Sequence, residues 1–267
     1  MDLHCHLLPG IDDGCRTLDE SLELCRMAAD DGVQATVCTP HIDFKYANNR
    51  STIEAAYGQV ASAVEAEGIP LRLVRGAEVH MAPDILAKLK DGDLVTYADM
   101  GRYLLLEFPF QPVISGVEEM VYRLRLAGVT PVVAHPERIA YFVEDQDRLQ
   151  QLVRLGALGQ VTGGSLLGQF GERFQRAAVE MVRRNLVHVV ASDAHDHSYR
   201  RPVLSEAAAE VARLFGPERA RSMCQEYPAA IVAGEPIDPP EPLAGPRGLK
   251  GLFGGLFGRR GGSGAVW

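Results

Sequence analysis

Short apolar runs rich in β-branched residues alternate with longer stretches of helical periodicity along most of the chain. The runs at Asp2–His6, Ala35–Thr39, Leu71–Gly76, Tyr103–Phe108, Thr130–Ala134, Leu158–Thr162 and Val187–Ala191 predict strands. Between and after them, Leu18–Asp31, Thr52–Glu67, Ala82–Lys90, Ile114–Ala127, Asp147–Leu155, Gly171–Arg184 and Pro202–Phe215 predict helices. In the first helix Leu18, Leu22, Cys25 and Ala29 fall at i, i+4, i+7 and i+11, which makes one apolar stripe. The stretch LAGVTPVVAHPER reads as a helix end, a Gly stop and a buried parallel strand. Such βα alternation predicts an α/β fold with a parallel sheet. Seven units in a row suit a (βα)7 TIM-like barrel, though periodicity alone leaves an open doubly wound sheet as the alternative.

The pattern stops near Glu235. EPIDPPEPLAGPRG is Pro-rich, and LKGLFGGLFGRRGGSGAVW is Gly-rich with isolated Leu-Phe pairs. These densities do not suit a packed core, so a flexible tail is expected over 237–267, after one folded domain over 1–236. Beyond Glu241 the chain carries Arg247, Lys250, Arg259 and Arg260 and no acidic residue. Together with the Leu-Phe pairs these suit contact with an anionic membrane surface or a kinase, against the plainer reading of a solvated end.

Composition narrows the function. Hydrophobic residues make up 46% of 267, enough for a sizeable core, and no apolar run approaches the ~20 residues that span a bilayer. The net charge of −8 argues against a nucleic-acid protein, yet a local site on an acidic protein can still be cationic. The five cysteines are odd in number and contain no C-x-x-C, which predicts reduced thiols and a cytoplasmic location. The opening residues show no signal peptide. None of the cysteines has Arg at the sixth position after it, which excludes the thiolate phosphatase pattern.

Polar residues recur at the ends of the predicted strands. Strand one gives His4 and His6 and is followed by Asp12 and Asp13, strand two is followed by His41, and strand three by Glu78 and His80. Strand four supplies Glu107, strand five His135 and Arg138, and strand seven Asp193, His195 and His197. In a parallel barrel these ends converge on the C-terminal face, where barrel active sites lie. Each fragment alone is weak, because an H-x-H pair or a single Glu after a strand is common in proteins that bind nothing. Six recurrences in one chain point to metal ions, whose standard ligands are carboxylates and neutral imidazoles. His4 and His6 share one face of a strand while Cys5 points the other way, so the ligand set lacks thiolate and suits Mn, Fe or Zn. Phe108, Phe110, Tyr46, Phe142 and Tyr199 are candidates to flank the cleft.

The fragments HCHLLPGIDDG, TPH, GAE, EFPF, AHPER and ASDAH, with QVTGGS between the last two, resemble the PHP (polymerase and histidinol phosphatase) superfamily. The resemblance is closer to its branch of bacterial protein-tyrosine phosphatases of capsule and exopolysaccharide loci, the CpsB/CapC type, and runs from Met1 to about Pro236. It implies a distorted parallel βα-barrel with three divalent ions, commonly manganese. It also implies hydrolysis of phosphotyrosine on a tyrosine autokinase that controls polysaccharide export. Carried over, it assigns one ion to His4, His6, Glu78 and Asp193. A second ion would be held by Glu107 and His135 with Glu78 bridging, and a third by Asp13, His41 and His195. Arg138 matches a family arginine near the phosphate, Arg200 or Arg201 a second, and His80 is read as a non-ligand. Asp196 and His197 are candidate acids for the leaving phenolate. Two other readings remain: another PHP phosphoesterase acting on a small molecule, and a non-catalytic metal-binding regulator of a kinase.

Overall fold

The computed structural model describes residues 1–110 and 115–245. The strands are β1 (Asp2–Cys5), β2 (Ala35–Cys38), β3 (His41–Ile42), β4 (Arg72–Arg75), β5 (Glu78–His80), β6 (Tyr103–Glu107), β7 (Thr130–Ala134), β8 (Leu158–Thr162) and β9 (Val189–Ala191). The helices are α1 (Leu18–Asp30), α2 (Arg50–Ala66), α3 (Ile85–Asp91), α4 (Val117–Leu126), α5 (Ala140–Glu144), α6 (Gln146–Arg154), α7 (Gly163–Leu166), α8 (Glu172–Arg183), α9 (Ser205–Phe215), α10 (Pro217–Arg221) and α11 (Tyr227–Ala233). Every strand pairing is parallel, in one sheet of order β1-β2-β4 and another of order β3-β5-β6-β7-β8-β9. Ile114, expected to start the fourth helix, lies outside the described residues, as does the tail from 246 onward.

Nine strands stand where seven are predicted, because β3 and β5 resume beyond the predicted ends of the second and third strands. Pro40 interrupts the chain between β2 and β3, since it has no N–H for the ladder. Gly76 lies in the break between β4 and β5; a Cβ there would lie 2.7 Å from Val37 Cγ1, so the position leaves no room for a side chain. Pairing resumes beyond the break, where Glu78 N–H donates to Pro40 O at 3.0 Å. The two sheets also meet at their other edges, through a parallel bridge between Cys5 and Ala194 and the bond from Asp193 N–H to His4 O at 2.8 Å.

Alternation along the strands sorts the side chains. Leu104, Leu106, Val133, Val161 and Val190 pack with the helices in one core. Cys5 joins this core with Cys15, Cys25 and Cys38, as its opposition to His4 predicts. The predicted stripe of α1 is also present, with Leu22 and Cys25 buried and Leu18 and Ala29 packed at its edge. The alternate positions Leu105, Val132, Ala134, Leu158, Val189 and Ala191 form a second core with Leu3 and Val37, completed by Ile231 and Val232 of α11. Glu107, Gln160 and Asp193 continue these alternate rows beyond the apolar residues, at the C-terminal ends of the strands. The fold thus carries its polar groups to one end, as the pattern predicts.

The Pro-rich segment departs from its expected freedom. Tyr103 Oη donates to Glu235 O at 2.7 Å, Asn185 Nδ2 to Glu241 O at 2.8 Å and Gln150 Nε2 to Leu243 O at 2.7 Å. Leu243 N–H donates to Arg184 O at 2.8 Å. Composition identifies a segment that builds no core of its own, but its carbonyls still pair with side chains of the domain, so the folded part extends past residue 236 to Leu243. No helix among the described residues is long and apolar enough to cross a membrane.

Candidate active site

The strand ends bring nine predicted ligands into one cluster. His4 lies on β1, His41 on β3, Glu78 on β5 and Glu107 at the end of β6. His6, His135, Asp193 and His195 follow strands, and Asp13 comes from the loop after β1. Most are buried; Asp13, at 46% side-chain exposure, forms the open rim. His135 and Asp193 take left-handed backbone angles, φ 31 and 54, which cost energy for residues with a Cβ and are found where surrounding structure fixes a functional group.

Glu78 sits at the centre. Its Oε2 lies 3.2 Å from His4 Nε2, 3.4 Å from His6 Nε2 and 3.0 Å from His41 Nδ1, and its Oε1 lies 2.9 Å from His135 Nε2. Asp193 Oδ1 stands 3.4 Å from His4 Nε2 and 3.7 Å from both His6 Nε2 and His195 Nδ1. Asp13 Oδ1 is 3.4 Å from His41 Nε2 and 3.5 Å from His195 Nε2. Glu107 stands 3.8 Å from both His41 and His135. Three sets have ligand atoms close enough for one ion each: His4, His6 and Glu78; His6, Asp13, His41 and His195; and His41, Glu78 and Glu107. The first contains three of the four residues expected for one ion, and the second all three expected for another, with His6 added. The third puts His41 where His135 was expected, although His135 touches the same carboxylate of Glu78.

The donor set fits metal ions. Glu78 Oε2 and His41 Nδ1 are buried and lack a hydrogen-bond partner although they lie 3.0 Å apart, because neither is aligned for one. His4 Nε2 and His6 Nε2 face each other at 3.0 Å, a contact between like atoms that a shared cation explains. The electrostatics agree. Burial pushes His4 down, but Glu78 and Asp193 outweigh it and hold its imidazole at about 9. Burial likewise opposes protonation of His41, and the neighbouring carboxylates of Asp13 and Glu78 overcome it, to about 12. Burial also raises the Glu78 carboxyl, and the charge of His4 with the surrounding imidazole bonds reverses this to well below the usual range. The cluster draws protons onto ring nitrogens that point at one another, and a divalent ion would supply the same positive charge.

A second layer orients the imidazoles. Asp12 Oδ2 meets His6 Nδ1 at 2.9 Å, and Gln160 Oε1 meets His4 Nδ1 at 2.9 Å. These contacts fix which nitrogen each ring turns to the cluster. Gln160 stands inside QVTGGS but was not singled out, because its partner is 156 residues away; the signal available was its alternate position on a buried apolar strand. Leucine at Gln160 is expected to weaken manganese affinity about 10–100-fold, measured by metal titration, while the protein remains folded.

Of the two arginines left open by spacing, Arg200 is the one that stands beside the cluster. Arg138 Nη1 and Arg200 Nη2 approach the same oxygen, Asp193 Oδ2, at 2.7 and 2.5 Å. Arg200 Nε is buried without a partner, while Arg201 is exposed. Asp196 and His197 do not join the cluster. Asp196 Oδ1 accepts from Ser198 N–H and Oγ, both at 2.7 Å, and from Tyr199 N–H at 2.5 Å. Partial burial raises its carboxyl, but these bonds outweigh burial and hold it at about 2, so it shapes the loop and is a poor proton donor. His197 is exposed, and among the described residues no ion pair of the cluster involves it. His80 lies at the edge, 3.3 Å from Glu107 Oε2.

The aromatic candidates divide. Phe108 and Phe142 are buried and pack on each other at 5.8 Å, because the core of the helical side claims them. Tyr46 stacks on His41 at 5.8 Å and Phe110 on His135 at 5.8 Å. Tyr199 packs edge-on against Phe170, which the sequence pattern did not single out, and Phe170 also lies beneath the Arg138 guanidinium at 4.8 Å.

Parallel strands that end in a histidine–carboxylate cluster with two arginines beside it define an α/β protein with a candidate metal centre. The chain belongs to the family described as capsular polysaccharide synthesis, CpsB/CapC, whose model matches residues 1–233. It is 35% identical over 256 residues to the tyrosine-protein phosphatase YwqE of Bacillus subtilis (strain 168), covering 95% of this chain and 100% of that protein. It is 30% identical to the putative tyrosine-protein phosphatase CapC of Staphylococcus aureus, covering 88% and 89% respectively. A solved structure from work on YwqE of Bacillus subtilis and CpsB of Streptococcus pneumoniae, described as unique metal-dependent tyrosine phosphatases, matches with a TM-score of 0.89. That match has 34% identity and covers 92% of this chain and 99% of the other.

Proposed function

We propose that this chain is a metal-dependent protein-tyrosine phosphatase acting on a tyrosine-phosphorylated protein, a bacterial tyrosine autokinase of capsule or exopolysaccharide synthesis. The observation that carries this reading is the single cluster of buried histidines and carboxylates around Glu78, with Arg138 and Arg200 gathered on Asp193 at its rim. Family membership and the names of the relatives support it.

His4, His6, Glu78 and Asp193 would hold one ion, Glu78, Glu107 and His135 with His41 a second, and Asp13, His41 and His195 a third. Manganese, iron or zinc all suit imidazole with carboxylate, and manganese is the proposed choice. Bound divalent ions would supply positive charge at the phosphoryl oxygens and water ionised near neutral pH. Arg138 and Arg200 orient the phosphate, since their planar donors match its oxygens in pairs. Asp193 keeps both guanidinium groups at the rim. The phenolate leaves with a pKa of about 10, which lessens the need for a positioned acid. The strand segments form one distorted seven-position barrel in this reading, with β2 continuing into β3, β4 into β5, and the bonds between Ala194 and β1 closing it. Five buried free thiols support a reducing, cytoplasmic location.

The test is hydrolysis of a tyrosine-phosphorylated peptide with added manganese, after chelation, and with His135→Ala. Turnover that needs manganese and disappears in the variant is expected. A well-metallated wild type without turnover on the peptide would overturn the tyrosine reading and leave small phosphate esters to be assayed.

A further inference from the structure

The end of the fold opposite the metal cluster carries a basic, partly apolar surface. Arg102 immediately precedes β6, and the turn over 127–129 leads from α4 into β7, so both stand at the N-terminal ends of the strands. Thr130 joins the two turns: its N–H donates to Arg102 O at 2.7 Å, and its Oγ1 accepts from Arg125 Nη1. α4 buries Val117, Met120, Val121 and Leu124 and leaves Tyr122, Arg123, Arg125 and Leu126 exposed. Met100 meets Arg102 over Gly234, where a Cβ would stand 3.3 Å from one side chain and 3.4 Å from the other. Tyr122 is 50% exposed, Leu126 70% and Met100 52%, so large apolar groups stand in water beside the cations. Arg102, Arg123 and Arg125 enter no ion pair among the described residues, and Asp99, next to Met100, is held by Arg50.

The chain leaves the described fold from this same end. Asp238 and Glu241 of the Pro-rich segment line one cavity with Arg102 and Arg125, and Leu243 N–H donates to Arg184 O, between α8 and β9. With Glu235 these are the acids the segment brings. From Pro242 to Trp267 the sequence carries Arg247, Lys250, Arg259 and Arg260 and no acid. Among them Leu249, Leu252, Phe253, Leu256 and Phe257 fall at i, i+3, i+4, i+7 and i+8, the spacing of an apolar stripe that lies in an interface. The family match ends at residue 233, ahead of all of this.

We infer that the N-terminal end of the strands and the segment after Gly245 together form a docking face for an anionic lipid surface. Three exposed arginines and four cations of the segment outnumber the three acids beside them, while the chain as a whole carries −8. Anionic headgroups therefore attract this end and repel the rest, which sets orientation as well as affinity. Met100, Tyr122 and Leu126 reach the interface, where apolar and aromatic groups settle beside cations. An acidic protein surface would answer the charges but not the Leu-Phe spacing, which favours lipid. The metal cluster, at the C-terminal ends of the strands, then faces away from the surface and stays open to a protein segment.

Sedimentation of the full chain with phosphatidylcholine vesicles, with and without phosphatidylglycerol, tests this. Wild type is compared with Arg102→Glu/Arg123→Glu and with Leu252→Ser/Phe253→Ser. Wild type is expected to sediment with the phosphatidylglycerol vesicles, less as salt rises, and to stay in solution with phosphatidylcholine alone. Each double variant is expected to lose about tenfold in partition coefficient. Thermal unfolding should not move in the Glu variant, because neither arginine side chain has a hydrogen bond or ion pair among the described residues. Wild type that ignores anionic vesicles, or that binds both kinds alike, overturns the inference. A Glu variant that binds as wild type does also overturns it, since the folded end would then take no part. Binding to the soluble cytoplasmic domain of a tyrosine autokinase, without binding to vesicles, would give the face to a protein instead.

Discussion

Glu78→Gln is expected to lower phosphotyrosine hydrolysis by at least about 10³-fold and to empty the protein of bound metal. The amide keeps the shape of the carboxylate and removes its charge. Glu78 Oε2 stands 3.2 Å from His4 Nε2, 3.4 Å from His6 Nε2 and 3.0 Å from His41 Nδ1, so one atom faces three ligand nitrogens. Its other oxygen meets His135 at 2.9 Å. A neutral amide bridges divalent ions poorly, and its NH2 would point a donor where a cation must sit. Metal content by elemental analysis and kcat/KM on a phosphotyrosine peptide are the two readouts. A variant that keeps its metal and more than about a tenth of wild-type activity would mean that Glu78 only supports the site. The circular dichroism spectrum guards against simple unfolding, since a buried network has been altered.

How far the site was legible depends on the range over which each residue acts. His4 and His6 are visible as an H-x-H pair, and their shared face follows from strand geometry alone. Glu107 and His135 are visible because apolar strands lead directly into them. β3 and β5 were not visible, although they carry His41 and Glu78. Segments of two and three residues have no periodicity to read, and they stand beyond the breaks at Pro40 and Gly76. The grouping of ligands was less legible than their identity. His41 Nδ1 turns toward Glu78 and Glu107 while its Nε2 turns toward Asp13, so one ring serves two sets, which no linear spacing encodes.

Long-range partners account for the remaining differences. Asp2 reads as part of an apolar strand, yet it is buried and accepts from Ser192 N–H and Oγ at 3.0 and 2.5 Å, which ties β1 to the turn that presents Asp193. Gln160 and Asp12 set the imidazoles of His4 and His6 from distant or loop positions. Phe108 and Phe142 look like Phe110 in sequence, and only the packing of the helices decides that two are core and one lines the cleft. The Pro-rich strap shows the complementary limit of composition. Proline removes donors but leaves carbonyls, and those of Glu241 and Leu243 are taken up by Asn185, Gln150 and Arg184.

Arg138→Ala is expected to reduce kcat/KM on a phosphotyrosine peptide by about 10²–10³-fold with metal content unchanged. Two contacts hold the side chain at the rim of the metal site. Its Nη1 meets Asp193 Oδ2 at 2.7 Å, its face lies on Phe170 at 4.8 Å, and it lines a cavity with Phe110. A guanidinium so fixed pays little further ordering cost when it takes a phosphate in paired hydrogen bonds. Arg138→Lys should recover only part of the loss, because an ammonium supplies charge without the planar fork. Arg200→Ala should lose activity on a similar scale, since its Nη2 shares Asp193 Oδ2 at 2.5 Å and its Nε is buried without a partner. Arg201→Ala should change kcat/KM less than about twofold, because its side chain is exposed and a surface charge is screened. The contrast between positions 200 and 201 separates placement from net charge: equal losses at both would mean that the acidic protein needs positive charge near its site, and a loss at 200 alone would mean that it needs a donor held against Asp193.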